Sequence, residues 1–271
     1  MKNVMDIIRT LKVMPVSELN VHEQISLEHM KMLKRLFTTT KIFTNPIIVD
    51  EKSLNVLDGT HRLIALKELG YKNILCQMVD YSSKEIKLGT WFPAFKFKKP
   101  AEGFVLKHEG EYGHSFEEGM KMLEKNEAAF MLVQMQGGKK RCAVFKTKKP
   151  TLKEFYAAQE SIISDMEKMN YVIYIPDELA EGYLKEGYNV LYRRGYTKKE
   201  VLDSVKNNKP LPAKSTRHVI PDRLLGANIP MEYLVVDTEK AQEELVKIIE
   251  KRAARSAIRY YPEPVLVLDD Y

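Results

Sequence analysis

The sequence predicts a mixed α+β and α/β protein with two lobes, an α+β lobe over residues 1–100 and an α/β lobe over residues 101–271. Three observations support this prediction. Short β-branched runs and amphipathic helical patterns share the first hundred residues, the pattern breaks between residues 92 and 113, and helices and strands then alternate again. A chain of 271 residues is long enough for two modest domains.

The first lobe is predicted to contain two helices, a hairpin and a further strand. Residues 26–37 begin with a capping serine, carry Glu28 in the first turn and have apolar residues at helical spacing. The runs NPIIVD and LNVLD, separated by EKS, predict a β-hairpin. A helix over residues 60–69 is expected to stop at Gly70, and KNILCQMVDY predicts the next strand.

The second lobe is predicted to follow a linker, FPAFKFKKPAEG, which lies within residues 92–113. Helices are expected over residues 116–128, 151–169, 197–207 and 238–257. The run FMLVQMQGGKKRCAVFKT predicts a hairpin that turns at Gly137 and Gly138. YVIYIP and PVLVLDD predict two further strands, and no repeat or low-complexity tract is evident.

The charge balance is basic, with 43 Lys and Arg against 37 Asp and Glu, a net charge of +6 and a pI near 9.0. This balance suits nucleic acid or an anionic small substrate. The basic residues are scattered, apart from short runs such as KFKKP and KTKKP, which are typical of solvated loops. We therefore do not expect nucleic acid as a partner. The abundance of Lys, Glu, Ile and Tyr, with few Gln, suggests a heat-adapted source.

The location expected from the sequence is the cytoplasm. No apolar stretch is long enough to span a membrane, and the N-terminus lacks the features of a secretion signal. Cys76 and Cys142 lie far apart in apolar, strand-like settings, which favours buried thiols in a reducing compartment over a disulfide or a metal pair.

The segment NVLDGTHRLIALKELGY, residues 55–71, predicts a strand that turns through a glycine into a helix. Such a turn forms an anion site, because the first N–H groups of a helix have no internal acceptor and lie at the positive end of its dipole. Gly59 would let a ligand approach the backbone, and His61 and Arg62 would add donors. Asp58 would cap the helix or hold a divalent ion. The alternative is that Thr60 bonds locally and that His61 and Arg62 are solvated.

The run DGTHR, followed by ALKELG, resembles the nucleotide-binding box of the ParB/sulfiredoxin fold. Sulfiredoxins have a cysteine where Thr60 stands. ParB-type partition proteins have Glu-Arg-Arg after the glycine and a helix-turn-helix domain downstream, and neither is evident here. Free L-serine kinases have Asp-Gly-x-His-Arg, which matches residues 58–62. The chain thus resembles the free L-serine kinase branch of this fold.

Four other segments are similar to that family: LKVMPVSELNVHEQ with its pair His22 and Glu23, TNPIIV at residues 44–49, LGTWF, and LPAKSTRHVIPDRLLGANIP at residues 211–230. The resemblance implies a ParB/sulfiredoxin-like N-terminal lobe that binds nucleotide, with the active site in a cleft between the lobes. It implies Mg²⁺-assisted transfer of the terminal phosphoryl group of ATP or ADP to L-serine. The product would be O-phospho-L-serine, a precursor for cysteine biosynthesis. ATP is slightly favoured, although no residue decides between the two donors.

The resemblance also implies roles for individual residues. Glu23 would be the general base, although a glutamate here could equally be a surface charge. Asp58 would be a second carboxylate that holds Mg²⁺ or orients the hydroxyl, and residues 58–62 would bind the nucleotide phosphates. The alternative for His61 is a half-buried histidine whose hydrogen bonds are satisfied.

Substrate binding is assigned to a polar segment and two further residues. The segment, which the alternative treats as an ordinary polar loop, consists of Lys214, Ser215, Thr216, Arg217 and His218. Trp91, predicted to lie in a loop, would wall the serine pocket or fill the core between the lobes. Asn45, extended because it precedes Pro46, would contact substrate or end a turn.

The competing hypothesis is a ParB-like, nucleotide-dependent DNA-binding or regulatory protein. The combination of Glu23 with Asp58, together with the missing DNA-reading domain, favours the kinase. The sequence does not predict the oligomeric state or the selectivity for serine over threonine and homoserine.

Overall fold

The structure is a computed structural model that describes residues 4–96, 101–147 and 152–261, with side chains described for all of these except 152–156. The helices are α1 Val4–Ile8, α2 Leu27–Thr40, α3 Thr60–Glu68, α4 Glu102–Lys107, α5 Phe116–Glu124, α6 Leu152–Met169, α7 Ala180–Lys185, α8 Lys198–Lys206 and α9 Thr238–Ala254. Two 3₁₀ turns span Asp177–Leu179 and Met231–Leu234. The strands are β1 Leu11–Pro15, β2 Asn20–Val21, β3 Ile42–Phe43, β4 Ile47–Asp50, β5 Asn55–Asp58, β6 Asn73–Val79, β7 Lys87–Gly89, β8 Trp91–Phe95, β9 Glu111–His114, β10 Ala128–Gln136, β11 Lys139–Lys146, β12 Val172–Pro176, β13 Asn189–Tyr192, β14 Arg217–Val219 and β15 Ile229–Pro230.

The described residues form two compact units, and the mixed α+β fold agrees with the predicted class. The first unit takes those within Met1–Lys87, Leu202–Pro210 and Ile220–Tyr271. The second takes those within Leu88–Val201 and Leu211–Val219. The chain therefore returns to the first unit, and this division does not follow the single boundary expected between residues 100 and 101.

Helix α9 accounts for the return of the chain to the first unit. Its residues Ala241 and Leu245 are buried in the same apolar cluster as Leu11 and Val13 of β1. The side chain of Gln242 accepts a hydrogen bond from the backbone N–H of Val13 at 2.8 Å. An amphipathic pattern shows that a helix has an apolar face, but it does not show which core that face covers.

The first unit is built on a five-stranded sheet in the order β1-β6-β4-β5-β2. The pairs β4–β6 and β2–β5 are parallel, and the pairs β1–β6 and β4–β5 are antiparallel. A short ladder joins β15 to β3. The predicted hairpin is confirmed as β4–β5 and the strand KNILCQMVDY as β6. The two predicted helices are confirmed as α2, which is capped by the Ser26 side chain, and α3.

The second unit contains a six-stranded antiparallel sheet in the order β12-β8-β13-β10-β11-β9, and a two-stranded ladder pairs β14 with β7. Alternate residues of β10 point to opposite faces, as in any strand. Met131 and Val133 pack in one apolar cluster with residues of α5 and α7. Phe130 and Leu132 pack in another with residues of α4 and α6. Helices therefore cover both faces of this sheet.

The predicted linker is wrong where the structure describes it. Its first residues form β8, which pairs with β12 and β13, and α4 and β9 follow. Pro93 lies within β8 opposite Tyr174. Proline is uncommon inside strands because it lacks an N–H donor, so its presence made this segment resemble a loop.

The remaining predicted elements have mixed outcomes. The hairpin over residues 128–146 is confirmed, as are the strand YVIYIP and the helices corresponding to α6, α8 and α9. The helix expected over residues 116–128 ends earlier, at Glu124, and Ala128 already belongs to β10. The final predicted strand, PVLVLDD, lies outside the described residues.

Both cysteines are buried free thiols, as expected. Burial raises the pKa of the Cys76 thiol, so this residue is protonated at neutral pH. Among the helices of the described ranges, none has the length and apolar character that crossing a bilayer requires.

Candidate active site

The turn between β5 and α3 is built around Gly59. This residue has a φ of 102°, a left-handed conformation that L-residues with side chains rarely adopt. A Cβ atom on Gly59 would also lie 2.8 Å from Cβ of Ile47 and 2.9 Å from Nη2 of Arg62. Gly59, not Asp58, is the N-cap of α3. The turn therefore requires glycine both for its backbone angle and for space.

Asp58 is bound by two guanidinium groups. Arg62 donates from Nη2 to Oδ2 of Asp58 at 3.0 Å, and Arg223 pairs with the same oxygen. The side chain of Arg62 is only 10% exposed, whereas those of Asp58 and Arg223 are both 38% exposed. Two positive charges thus meet one negative charge at the N-terminus of α3.

Arg62 is also anchored on its other side. Its Nη1 donates to the backbone carbonyl of Asn45 at 2.7 Å and to that of Pro46 at 3.1 Å. These bonds hold the segment before β4 against the end of β5. The predicted contact between Arg62 and nucleotide phosphates stays a prediction, and the observed bonds support a structural role instead.

His61 contacts the start of α2. Its Nε2 accepts a hydrogen bond from the backbone N–H of Ser26 at 2.9 Å, and its ring stacks on that of His29 with centroids 4.7 Å apart. In this arrangement Nε2 carries no proton. His61 is half-buried, so the structure places it in the setting that the alternative interpretation described.

Glu23 and Asp58 both follow the paired valines of two parallel strands. Strand β2 runs parallel to β5, and Val21 is paired with Val56. Glu23 is the second residue after the end of β2, and Asp58 is the last residue of β5. Neighbouring strands are about 4.8 Å apart. The two predicted catalytic carboxylates therefore lie at the carboxyl ends of the same pair of strands, and their roles stay predictions.

His22 fixes the backbone beside Glu23. The ring of His22 is only 2% exposed and its Nδ1 donates to the carbonyl of Val56 at 2.8 Å. Burial lowers the pKa of His22, and the negative charge of Glu23 partly opposes this shift. A neutral, buried imidazole therefore joins the residue before Glu23 to β5.

Asn45 is buried and its side chain has a structural partner. Its Oδ1 accepts a hydrogen bond from the backbone N–H of Gly226 at 2.8 Å. Asn45 thus links the segment before β4 to the segment that carries Arg223. Its predicted contact with substrate stays a prediction.

The other predicted substrate residues belong to the second unit. Trp91 is the first residue of β8 and is paired with Pro176, so the prediction that it lies in a loop is wrong. The guanidinium carbon of Arg217 lies 5.6 Å from the centroid of the Trp91 ring, and Arg217 forms a 2.8 Å ion pair with Glu178. Arg217 thus lies within cation–π distance of Trp91, the only tryptophan of the sequence, while its charge is paired with that of Glu178.

The members of the polar segment differ in accessibility. Ser215 and Thr216 are buried, and the carbonyl of Ser215 accepts a hydrogen bond from the Thr90 hydroxyl at 2.9 Å. Lys214, with a φ of 56°, is half-buried, as are Arg217 and His218. The half-buried side chains are the better candidates for contact with a ligand.

The described ranges contain no group of three or more His, Cys, Asp or Glu side chains that could hold a metal ion. Asp58, predicted to bind Mg²⁺, does not suit that role in this arrangement. Two guanidinium groups compete for its oxygen, and their positive charge opposes the approach of a divalent cation.

Arg223 was not identified from the sequence. It lies 165 residues from Asp58 along the chain. The segment LPAKSTRHVIPDRLLGANIP is similar to the kinase family, but the predicted substrate contacts were all placed in its first half, at residues 214–218. The only signal was an arginine after a Pro-Asp turn, which is common in loops.

Comparisons with known proteins identify relatives of the chain. No protein-family model matches the chain. The ADP-dependent L-serine kinase SerK of Thermococcus kodakarensis is 29% identical over 215 residues, which cover 76% of this chain and 85% of that protein. An ATP-dependent L-serine kinase of Staphylothermus marinus is 30% identical over 240 residues, covering 81% and 89% of the two chains.

A solved structure is also similar. It is a free serine kinase with a glutamate-to-alanine substitution in complex with ADP, and it aligns with a TM-score of 0.67 at 25% identity. The alignment covers 83% of this chain and 93% of that chain. With this identity and coverage, and with the matching box at residues 58–62, the chain belongs to the L-serine kinase family.

Proposed function

We propose that the protein transfers the terminal phosphoryl group of ATP or ADP to the hydroxyl of free L-serine, giving O-phospho-L-serine. The observation that carries this proposal is that Glu23 and Asp58 both lie at the carboxyl ends of the paired strands β2 and β5. Asp58 directly precedes the glycine turn of the family's nucleotide box. The relatives named as ADP-dependent and ATP-dependent L-serine kinases support it.

Glu23 is the proposed general base. Its carboxylate would accept the proton of the serine hydroxyl as that oxygen bonds to the terminal phosphorus of the nucleotide. The bond between that phosphorus and the bridging oxygen would break, and the shortened nucleotide would leave with the bonding electrons. The glutamate-to-alanine substitution in the solved relative is consistent with a functional glutamate in this family.

The nucleotide would bind at the turn between β5 and α3. Gly59 gives this turn its left-handed backbone, and the first N–H groups of α3 would offer donors to phosphate oxygens at the positive end of the helix dipole. The terminal phosphate would then lie near Glu23, at the carboxyl ends of β2 and β5. Because Asp58 does not suit Mg²⁺, we expect any magnesium to enter on the nucleotide phosphates.

The amino acid would be bound by side chains of the second unit. Lys214, Arg217 and His218 are cationic or hydrogen-bonding side chains suited to the carboxylate of serine. Trp91, whose ring centroid lies 5.6 Å from the guanidinium carbon of Arg217, would restrict the space beside it. These assignments follow from chemistry and family resemblance, together with the half-buried positions of the side chains.

Phosphorus NMR tests the proposal directly. Purified protein is incubated with Mg²⁺ and L-serine, once with ATP and once with ADP. We expect a new phosphomonoester signal that requires serine, and the nucleotide that produces it identifies the donor, for which ATP is slightly favoured. If folded protein gives no such signal with either nucleotide, the proposal is wrong. Steeply salt-dependent retention on a DNA column would then favour the DNA-binding alternative.

A further inference from the structure

We infer that Arg223, and not Arg62, is the arginine that contacts the phosphoryl group being transferred, and that Asp58 holds Arg223 in position for this contact. The inference rests on the proposed kinase function and names a residue for it. Both arginines share one carboxylate oxygen of Asp58, so the choice between them depends on what else each one binds.

Arg62 is committed to the protein interior. Its side chain is 10% exposed, and it already donates to two backbone carbonyls as well as to Asp58. Turning this guanidinium towards a ligand would leave the carbonyls of Asn45 and Pro46 without these donors. Unsatisfied buried acceptors are energetically unfavourable, so we expect Arg62 to keep these hydrogen bonds when nucleotide binds.

The backbone of Arg223 is fixed by hydrogen bonds, whereas its side chain is partly exposed. The buried side chain of Gln77 bonds to the residues on both sides of Arg223. Its Nε2 donates to the carbonyl of Asp222, and its Oε1 accepts from the N–H of Leu224, each at 2.9 Å. The guanidinium of Arg223 is 38% exposed. A fixed backbone with an exposed guanidinium suits ligand binding better than core stabilisation.

Residues that follow Arg223 in the same segment are also fixed to the first unit. The side chain of Asn45 accepts a hydrogen bond from the N–H of Gly226, and Ile229 pairs with Phe43 in a short ladder. Two buried amide side chains, those of Gln77 and Asn45, therefore use their hydrogen bonds to fix the segment around Arg223. Such backing is what a residue needs in order to contact a reacting group reproducibly.

Position and charge identify the ligand atom. Asp58 and Glu23 both lie at the carboxyl ends of the paired strands β2 and β5, and the hydroxyl activated by Glu23 must come within about 3.5 Å of the phosphorus that it attacks. A phosphoryl group that meets this requirement would lie near Asp58 and the Arg223 bound to it. Two guanidinium groups share the single carboxylate of Asp58, so Asp58 alone does not neutralise them, and the charge on Arg223 suits a phosphoryl group. The planar fork of Arg223 can bind a phosphate oxygen while keeping Asp58 as a partner.

The test compares Arg223→Gln and Arg223→Lys with the wild type. We expect Arg223→Gln to lower kcat by about 10²- to 10³-fold, the size typical for removing one donor to developing charge. The donor nucleotide should bind about tenfold more weakly, whereas its product nucleotide, which lacks the transferred phosphate (AMP for an ADP donor, ADP for an ATP donor), should bind within about twofold of wild type. Arg223→Lys should recover part of the rate, because it keeps the charge without the fork.

Arg9→Gln is the matched control. Arg9 also pairs with an aspartate in the first unit, but its side chain is 75% exposed and it lies on the surface with Asp6. We expect wild-type turnover and binding from this variant. Thermal unfolding of all variants is measured alongside, so that a loss of fold is recognised.

Three results would decide against the inference. Wild-type kcat in Arg223→Gln would overturn it, as would an equal loss of affinity for the donor and for its product nucleotide, because both show that the transferred phosphate is not the contact. An unfolded Arg223→Gln together with a fully active Arg223→Lys would assign the arginine a structural role. Absence of serine phosphorylation in the wild type would instead refute the proposed function, so the two failures are distinguishable.

Discussion

Glu23 and Asp58 each lie two residues beyond the paired valines Val21 and Val56, so both stand at the carboxyl ends of the parallel strands β2 and β5. The two carboxylates differ in their surroundings. Asp58 shares one oxygen with two guanidinium groups, while Glu23 follows a buried histidine that ties its backbone to β5. This difference supports the proposal that Asp58 positions the two arginines and that Glu23 is the base.

Glu23→Gln should abolish most turnover while leaving nucleotide binding intact. Glutamine has nearly the same shape but cannot accept the serine proton, so we expect kcat to fall by at least about 100-fold. Affinity for ADP and ATP, measured by calorimetric titration, should change by less than about twofold. Glu28→Gln, on the exposed first turn of α2, is the control and should behave as wild type. Turnover near the wild-type rate in Glu23→Gln would remove Glu23 from the mechanism.

Gly59→Ala should destabilise the protein by about 2 kcal/mol or more. The added Cβ meets Ile47 and Arg62, and the φ of 102° is unfavourable for alanine. Gly70→Ala is a matched control, because Gly70 also has a positive φ, of 78°, but a Cβ there has no atom within 4 Å. We expect it to cost only about 1 kcal/mol. Urea unfolding of both variants measures the difference, and equal costs would show that the close contact at Gly59 is unimportant.

Arg62→Ala should lower the free energy of unfolding by about 2–4 kcal/mol. The substitution leaves the buried carbonyls of Asn45 and Pro46 without their donor and removes one partner of Asp58. Arg9→Ala removes an exposed ion pair and should cost less than about 0.5 kcal/mol. The two variants are compared by denaturant unfolding. If Arg62→Ala is as stable as Arg9→Ala but has lost nucleotide affinity, the predicted phosphate contact of Arg62 is correct and its structural role is not.

His22 should make stability fall as the pH drops below about 6.5. Burial lowers the pKa of His22 in the folded state, so below its usual value the unfolded chain takes up a proton that the folded protein does not. Stability is therefore full above pH 6.5 and decreases by up to about 1.4 kcal/mol per pH unit, down to the lowered pKa. Urea midpoints between pH 5.5 and 7.5 measure this slope.

The variant His22→Asn tests whether His22 is responsible. Asparagine can donate to the carbonyl of Val56 from nearly the same position as Nδ1 but does not titrate. The slope between pH 5.5 and 6.5 should therefore be smaller in this variant. His108 also has a pKa lowered by burial and contributes a slope that remains in both proteins. Identical slopes in the two proteins would contradict the assignment to His22.

Local sequence signals predicted the regular elements well. The capping serine and apolar spacing identified α2, the β-branched runs identified β4 and β5, and the Gly-Gly pair identified the turn between β10 and β11. Each signal depends on residues that are close in sequence, where steric and hydrogen-bonding preferences act directly. The prediction failed at β8, because Pro93 suggested a loop and only the neighbouring strands show that the segment extends through the sheet.

The sequence by itself determined the helices of nine residues or more, the hairpins, the glycine turn and the chemical types gathered in the box at residues 58–62, and these were enough to suggest the kinase family. Only the tertiary structure decided what each charged side chain binds. It directs Arg62 and Asn45 inward, brings Arg223 to Asp58 across 165 residues, and returns α9 to the core of the first unit. The physical reason is that periodicity and propensity act locally, whereas the partner of a guanidinium or of an apolar helix face is set by long-range packing.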